Sequence, residues 1–172
     1  ADSKLTIKSG RSRFTLTTLP AGEFPGVEDE PGTFSLTISR AKLKELLDST
    51  SFAMAQQDVR YYLNGMLFEV AGDYLRVVAT DGHRLAMQTL DLDNSVDQIH
   101  QLILPRKGII ELSRLIADGD GDITLTFGVN HIRAVMPDFT FTSKLVDGKF
   151  PEYNRVLPKG GDKVLLGNCQ EL

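Results

Sequence analysis

The feature that most restricts how this chain can fold is an order of secondary-structure elements that occurs twice. The first copy is predicted as a strand, a helix and three further strands, at residues 34–38, 40–49, 61–70, 74–80 and 84–90. The second copy has the same order, at residues 101–104, 106–117, 123–128, 131–136 and 139–146. Two helices packed side by side on two small, mainly antiparallel sheets would bury the apolar faces of such a repeat. The sequence therefore predicts an α+β domain with pseudo-twofold symmetry in which β-α-β-β-β is repeated twice.

Local signals mark the breaks between strands and the starts of helices. The triplet at residues 71–73 and the Asp81-Gly82 pair are typical of tight turns between antiparallel strands. Ser39 is suited to cap the first helix, and Pro105 to occupy the first helical position of the second. Apolar residues recur at helical spacing in both helices and predict their buried faces: Ala41, Leu43, Leu46 and Leu47, then Ile109, Ile110, Leu112, Leu115 and Ile116.

The segment before the repeat has a different character. Residues 4–17 alternate around a Ser9-Gly10 turn and predict a hairpin, which is marginal in water on its own. A stretch rich in Pro, Gly and acidic residues follows at 20–32 and is typical of a linker. We therefore expect the complete folded unit to lie at residues 33–157.

The end of the chain also suggests a neighbouring element. Residues 163–166 predict a strand, and Asn168 with Glu171 three positions later is a variant of the capping box that begins a helix. We expect that the chain is cut from a longer protein, with a natural frayed tail as the alternative.

The composition indicates the cellular compartment of the protein more than its function. The formal net charge is −4, so any binding to nucleic acid must come from local clustering of the 19 Lys and Arg residues. Cys169 is the single cysteine, which fits a reducing compartment. No apolar run approaches the roughly 18 residues of a membrane span, and the N-terminus has no signal-peptide core. We predict a cytoplasmic protein with no membrane partner.

The residues offer little support for an enzyme. The three histidines lack metal-ligand spacing, and the acidic run at 118–122 departs from a calcium loop where Gly and Glu are required. The chain has no glycine-rich phosphate loop and no nucleophile elbow. We therefore predict no catalytic residue, no metal and no cofactor.

Basic residues recur on the two predicted helices. They are Arg40, Lys42 and Lys44 on the first helix and Arg106, Lys107 and Arg114 on the second. Side by side, the helices would present a basic face in an acidic protein, and such a face suffices for phosphate binding without base readout. Solvated helix surface is the alternative interpretation.

An apolar segment near the end predicts a groove. Residues 150–158 are unusually apolar for a loop, and Leu63 and Leu85 are predicted on neighbouring strands, with Arg84 beside Leu85. If this segment packs beside the turn at 80–85, the two form a groove for a short peptide. The alternative is an interdomain linker that seals its own core.

Long motifs in this chain closely resemble the family of the bacterial DNA polymerase III beta subunit, the sliding clamp. They are DVRYYLNGMLFE at 58–69, ATDGHRLA at 79–86, PRKG at 105–108 and FTSKLVDGKFP at 141–151. SGRSRF at 9–14 and LPAGEFP at 19–25 resemble the end of that family's first domain. The resemblance implies the tail of a preceding clamp domain at 1–25, a linker at 26–32, the middle clamp domain at 33–157 and the truncated start of a following domain at 158–172.

The resemblance implies a DNA-clamp fold and a non-catalytic processivity factor. Family members form a head-to-tail dimeric ring around duplex DNA, tether the polymerase III alpha subunit, and take clamp-binding motifs of the loader, other polymerases and repair factors in a peptide pocket. The matching pocket positions are Leu63, Thr80, Gly82, His83, Arg84, Leu85, Pro151, Arg155 and Val156. The positions that resemble DNA contacts are Gln57, Tyr61, Tyr62 and Lys107, with Arg106 added as the neighbour of Lys107. The family's dimer contacts lie in the other domains, so ring formation is expected of the full-length protein.

The competing hypothesis is a nuclease or polymerase subunit with its own metal site. It requires that carboxylates converge on a metal ion, and Glu69, Asp81, Asp138 and Asp147 are the candidates. A carboxylate cluster that binds magnesium or manganese would separate this hypothesis from a clamp.

Overall fold

A computed structural model describes residues 3–24, 32–168 and 170, and it divides the chain into two compact units, Ala1–Pro31 and Gly32–Leu172. In the first unit, β1 (Lys4–Ser9) and β2 (Ser12–Thr17) form an antiparallel hairpin. Leu5 faces Leu16 and Ile7 faces Phe14 in register. These four side chains share one face of the hairpin because residues two apart in a strand point the same way. The predicted hairpin is therefore confirmed.

Among its described residues, the second unit contains six strands and two α-helices. In chain order they are β3 (Phe34–Ser39), α1 (Arg40–Asp48), β4 (Gly65–Thr80), β5 (Leu85–Pro105), α2 (Arg106–Leu115), β6 (Asp122–Phe127), β7 (His131–Val135) and β8 (Thr140–Lys144). One-turn 3-10 helices occur at Ser51–Ala53, Tyr61–Leu63 and Tyr153–Arg155. One antiparallel sheet has the order β3-β6-β7-β8, and the other pairs β4 with β5. The predicted α+β class with two helices and antiparallel sheets is confirmed.

The pairing between strands exchanges partners between the two halves of the repeat. Strand β3, which precedes α1, pairs with β6, the first strand after α2. Residues 100–105, which precede α2, pair in turn with residues 65–70, the first strand after α1. Each half therefore completes its sheet with a strand from the other half, which is what the predicted pseudo-twofold relation requires.

The helices bury one face each against the sheets and contact each other. Both contribute fully buried residues to a single apolar core, including Leu43, Leu46, Leu47, Ile109, Leu112 and Ile116. The Ser113 hydroxyl donates to Asp48 Oδ1 at 3.2 Å and links the two helices directly. Ala41 and Ile110, which the periodicity placed in the buried faces, are exposed and lie beyond the edge of the contact.

Several predicted boundaries differ from the structure. Residues 61–63 form a 3-10 helix, and β4 runs without interruption through the predicted turn at 71–73. The break appears instead as a shift in register between Val70 and Tyr74, where Gly72 has a φ of +54° that favours glycine. Strand β5 likewise continues past residue 90 to Pro105. Pro105 itself is the N-cap of α2 with extended backbone, one position before the predicted place.

The predicted strand at 163–166 is wrong. Val164, Leu165 and Leu166 are 84–92% exposed and form no regular structure, because no described strand lies beside them to accept their backbone hydrogen bonds. Asn168 Oδ1 does accept the Gln170 amide at 3.0 Å, as a helix cap would. Glu171, the other half of the predicted capping box, lies outside the described residues. Within the described part of the chain, no helix is long and apolar enough to cross a membrane.

Candidate functional site

The turn between β4 and β5 and the segment around the 3-10 helix at Tyr153–Arg155 enclose a cavity of about 370 Å³. Its lining is Arg60, Tyr62, Leu63, Thr80, Gly82, His83, Arg84, Leu85, Pro151, Glu152, Tyr153 and Val156. Eight of the nine residues predicted for a peptide pocket are in this set. The ninth, Arg155, does not line the cavity; its side chain is 80% exposed and pairs with Glu152 at 2.5 Å.

Hydrogen bonds within the turn fix the side of the cavity that β4 and β5 provide. Asp81 Oδ1 accepts the amides of His83 and Arg84 at 2.9 and 3.0 Å. The Thr80 hydroxyl donates to the Arg84 carbonyl at 2.7 Å and accepts the Gly82 amide at 3.1 Å. Short polar side chains that bond their own backbone are the usual way to hold a tight turn. The turn therefore presents His83 and Arg84 in a defined arrangement.

Arg60 stabilises the turn from a neighbouring loop, and it was not among the predicted site residues. Its guanidinium donates to Asp58 at 2.8 and 3.0 Å and to the Asp81 carbonyl at 3.3 Å. Gly82 has a φ of +88°, so the backbone favours glycine there, and a Cβ at this position would lie in tight contact with the Arg60 guanidinium, at 3.1 Å. The Asp58-x-Arg60 spacing was the available signal, since Asp58 Oδ1 accepts the Arg60 amide at 2.8 Å.

Leu63 forms the floor of the cavity and is almost completely buried. It is 2% exposed, and it lies in a 3-10 helix and not on the strand where it was predicted. The 3-10 turn at Tyr61–Leu63 directs its side chain inward, and its amide donates to the Arg60 carbonyl at 2.8 Å. Val156 is different, because it is 69% exposed and stands at the rim.

The carboxyl groups of Asp58 and Asp81, beside the cavity, have lowered pKa values. The hydrogen bonds from the Arg60 side chain and amide lower the pKa of Asp58 to about 2. The amides of Arg84 and His83 are the main cause that lowers the pKa of Asp81 to about 2. Because both folded pKa values lie below the ordinary value of 3.8, the stabilisation they provide is present above about pH 4 and is lost as the pH falls through about 2.

These different causes predict different responses to one substitution. In Arg60→Gln, the pKa of Asp58 should rise toward its ordinary range, because its main stabilising donor is removed. The pKa of Asp81 should stay near 2, because its main donors are backbone amides. Carboxyl-carbon chemical shifts recorded from pH 6 to 1.5 measure both midpoints. Equal shifts of the two midpoints would contradict this assignment of causes.

The residues predicted to contact DNA are spread over two neighbouring loops and the start of α2. Gln57 is exposed with a φ of +56°, Tyr61 is 57% exposed, and Lys107 is exposed. The Arg106 amide donates to the Asn64 carbonyl at 2.9 Å, which joins α2 to the loop that follows Tyr62. Tyr62 is half-buried and lines the cavity, so the structure places it with the predicted peptide residues.

Arg106 lines a second cavity of about 350 Å³ beside the first. The other lining residues are Phe52, Met54, Ala55, Gln56, Asp58, Asp81, His83 and Arg84. His83 and Arg84 are common to both cavities, and the Arg84 guanidinium donates to the Phe52 carbonyl at 2.7 Å between them. The loop that carries Gln57 and the candidate peptide site are therefore adjacent.

The predicted basic face of the helices is smaller than the sequence suggested. Arg40 is 8% exposed and donates to the carbonyls of Leu115 and Asp118, so it holds the end of α2 and is not part of a basic surface. Lys44 pairs with Asp48 at 2.6 Å and Arg114 with Glu111 at 2.8 Å. Arg106 and Lys107 form no ion pair with another described residue.

Two of the four carboxylates of the competing metal hypothesis are engaged in other hydrogen bonds. Glu69 accepts hydrogen bonds from Tyr74, Tyr153 and Gln101, and Asp81 bonds its own turn. Among the residues that the structure describes, no group of three or more His, Cys, Asp or Glu side chains is arranged to hold a metal ion.

Comparisons with known proteins agree with this architecture. The family model of the DNA polymerase III beta subunit, central domain, matches residues 37–152. The beta sliding clamp of Pseudomonas aeruginosa is 61% identical over 171 residues, which are 99% of this chain and 47% of that protein. This chain thus spans about half the length of the curated relatives it matches.

Solved structures give the same result. A crystal structure of the DNA polymerase III subunit beta from Pseudomonas aeruginosa superposes with a TM-score of 0.89 at 62% identity, covering 94% of this chain and 45% of that one. A sliding clamp from the same organism, crystallised bound to griselimycin, superposes with a TM-score of 0.85 at 62% identity, covering 94% and 44%. The two helices on antiparallel sheets are those of the clamp fold, and the chain belongs to the family of the DNA polymerase III beta subunit, whose central domain it contains.

Proposed function

We propose that this chain is the middle part of a processivity factor, a ring-shaped sliding clamp that encircles duplex DNA and tethers the replicative polymerase. The observation that carries the proposal is the cavity of about 370 Å³, which unites eight of the nine residues that the family resemblance predicts for peptide binding. In this proposal the protein has no catalytic residue and acts in the cytoplasm by binding.

The chemistry of the cavity suits a short peptide with apolar anchors and a polar end. Leu63, Leu85 and Pro151 provide apolar surface, Val156 stands at the rim, and Arg84 and His83 provide polar groups. We propose that the polymerase III alpha subunit, the clamp loader, and other polymerases and repair factors dock here through clamp-binding motifs. The relative crystallised with griselimycin supports this choice, and we propose that griselimycin binds the same cavity in this chain.

We also propose the domain organisation that the resemblance implies. Residues 33–157 are the complete middle domain, and the match of the central-domain model to 37–152 supports this assignment. The hairpin within residues 1–25 is the end of a preceding clamp domain, 26–32 is a linker and 158–172 begins a following domain. The full-length protein forms the homodimeric ring, and the surface with Gln57, Tyr61, Arg106 and Lys107 faces the DNA.

The DNA proposal predicts weak binding without sequence preference. Phosphate contacts dominate such binding, and counterions compete with them, so affinity for duplex DNA should fall as salt rises. Because the chain alone lacks the ring, topological linkage cannot compensate. A fluorescence-anisotropy titration at several salt concentrations measures the slope of log affinity against log salt.

Substituting Arg106 and Lys107 together with Ala should reduce that slope by about 1 for each phosphate contact removed. Lys159→Ala with Lys163→Ala is the matched control, because it removes the same charge from the exposed chain end. An equal effect of the two double variants would place DNA binding elsewhere. Tight binding at high salt or clear sequence preference would count against the proposed function.

A further inference from the structure

Glu69 is a buried carboxylate beneath the candidate peptide site, and the proposed function gives it no role. It lies on β4 and is 6% exposed. Its Oε1 accepts the hydroxyls of Tyr153 at 2.8 Å and Tyr74 at 3.1 Å, and its Oε2 accepts the Gln101 amide at 2.5 Å. A buried carboxylate is costly unless it is hydrogen-bonded and paired, so every one of these donors matters.

Arg76 completes the cluster from the same strand. Its Nη1 lies 3.6 Å from Glu69 Oε1 and donates to the Tyr153 hydroxyl at 3.1 Å. Its Nε donates to the Thr89 hydroxyl at 3.0 Å, and the guanidinium stacks 4.5 Å over the Tyr74 ring. The Tyr153 hydroxyl therefore donates to Glu69 and accepts from Arg76, which fixes its position from two sides.

Tyr153 connects this cluster to the wall of the cavity. Its ring is 4% exposed and packs in a small apolar cluster with Leu67, Val78, Ile103 and Phe150. The single turn that begins at Tyr153 closes through the Val156 amide, which donates to the Tyr153 carbonyl at 3.1 Å. The backbone hydrogen bonds within this segment join neighbouring residues, as the Arg155 amide does to the Glu152 carbonyl at 3.1 Å. The Tyr153 hydroxyl bonds instead to Glu69 and Arg76 on β4, and so it links the sheet to the wall that carries Pro151 and Val156.

We propose that Glu69 is a positioning residue for the peptide site, because it fixes the Pro151–Val156 wall opposite the Thr80–Leu85 turn through the Tyr153 hydroxyl. The inference rests on the proposed peptide-binding function, although Glu69 does not line the cavity and touches no ligand. A wall fixed before binding spares the complex the entropy of ordering it. The loss of this hydroxyl should therefore weaken ligand binding, although the Tyr153 ring stays in the lining of the cavity.

Tyr153→Phe tests the proposal, with Tyr74→Phe as the matched control. Both changes remove one hydroxyl that donates to the same Glu69 oxygen, but only Tyr153 belongs to the wall. We expect Tyr153→Phe to weaken griselimycin binding roughly tenfold, as the loss of a hydrogen bond to a charged group does. Tyr74→Phe should stay within about twofold, since the wall keeps its link.

Hydrogen exchange provides a readout that does not depend on any ligand. The Val156 amide should exchange faster in Tyr153→Phe than in Tyr74→Phe or in the wild-type chain, because its turn is no longer attached to the sheet. Glu69→Gln retains an oxygen acceptor and should preserve slow exchange, whereas Glu69→Leu should not. Urea unfolding of all variants separates this local effect from a change in global stability.

The outcomes distinguish this inference from the proposed function. Equal exchange at Val156 in the two Phe variants, or equal griselimycin affinity in both, would overturn the positioning role of Glu69. If the wild-type chain itself fails to bind griselimycin, the proposed peptide function loses its support. Faster exchange at Val156 confined to Tyr153→Phe and Glu69→Leu would still support the attachment of the wall by Glu69.

Discussion

Replacing Leu63 with Asp is expected to lower the free energy of unfolding by about 3–5 kcal/mol, because an uncompensated carboxylate would be buried. Leu63 is 2% exposed, so the new carboxylate would be largely removed from solvent. Domains of this size are stable by only about 5–15 kcal/mol, so this loss is a large fraction of the total stability. Leu63 is therefore unsuitable as a simple test of peptide binding.

Urea denaturation followed by circular dichroism measures the effect. Leu165→Asp is the matched control, since Leu165 is 88% exposed and its replacement should change the free energy of unfolding by less than about 0.5 kcal/mol. Similar unfolding midpoints for the two variants would show that Leu63 is accessible in solution, contrary to the structure described here.

Val156→Asp, unlike Leu63→Asp, should leave the domain folded and weaken peptide binding at least tenfold. Val156 is 69% exposed before binding, so the carboxylate remains in water in the free protein. On binding, an apolar anchor would have to pack beside that charge, and the gain of about 1.5–3 kcal/mol from burying a Leu-sized anchor would be lost. The wild-type affinity should itself be weak, roughly millimolar to high micromolar, or about −4 to −6 kcal/mol.

Val129→Asp controls for the charge. Val129 is 76% exposed in the turn between β6 and β7 and does not line the cavity. An amide-shift titration with a labelled clamp-binding peptide yields both dissociation constants and also reports whether each variant is folded. If Val129→Asp weakens binding as much as Val156→Asp, the loss comes from net charge and the cavity is not the binding site.

Strand β3, helix α1 and most of the second half of the repeat could be predicted from the sequence, but the bounds of β4 and β5 could not. Strands β6, β7 and β8 lie within a few residues of their predicted bounds, and β6 and β7 alternate between buried and more exposed positions. In β4, by contrast, residues 65–71 are buried on both faces, so period-two alternation is lost and the boundary has no signal. Strand β5 continues through acidic residues that are typical of a turn.

Those parts of the candidate site that depend on local motifs could be predicted. Those that depend on contacts between residues distant in the sequence were missed. Gly82 and Asp81 were visible because their turn chemistry is local. The contribution of Tyr153 depends on Glu69, which is 84 positions away, and no local pattern encodes that bond. The predicted place of Arg40 on a basic surface was wrong for the same reason, because the carbonyls to which it donates lie at the distant end of α2.

The most direct test of the proposed function is a map of backbone amide shifts in the wild-type chain as a clamp-binding peptide is added. We predict that the shifts cluster at residues 80–85 and 151–156, the two walls of the cavity. Shifts that cluster instead on α2 around Arg106 and leave both walls unchanged would contradict it.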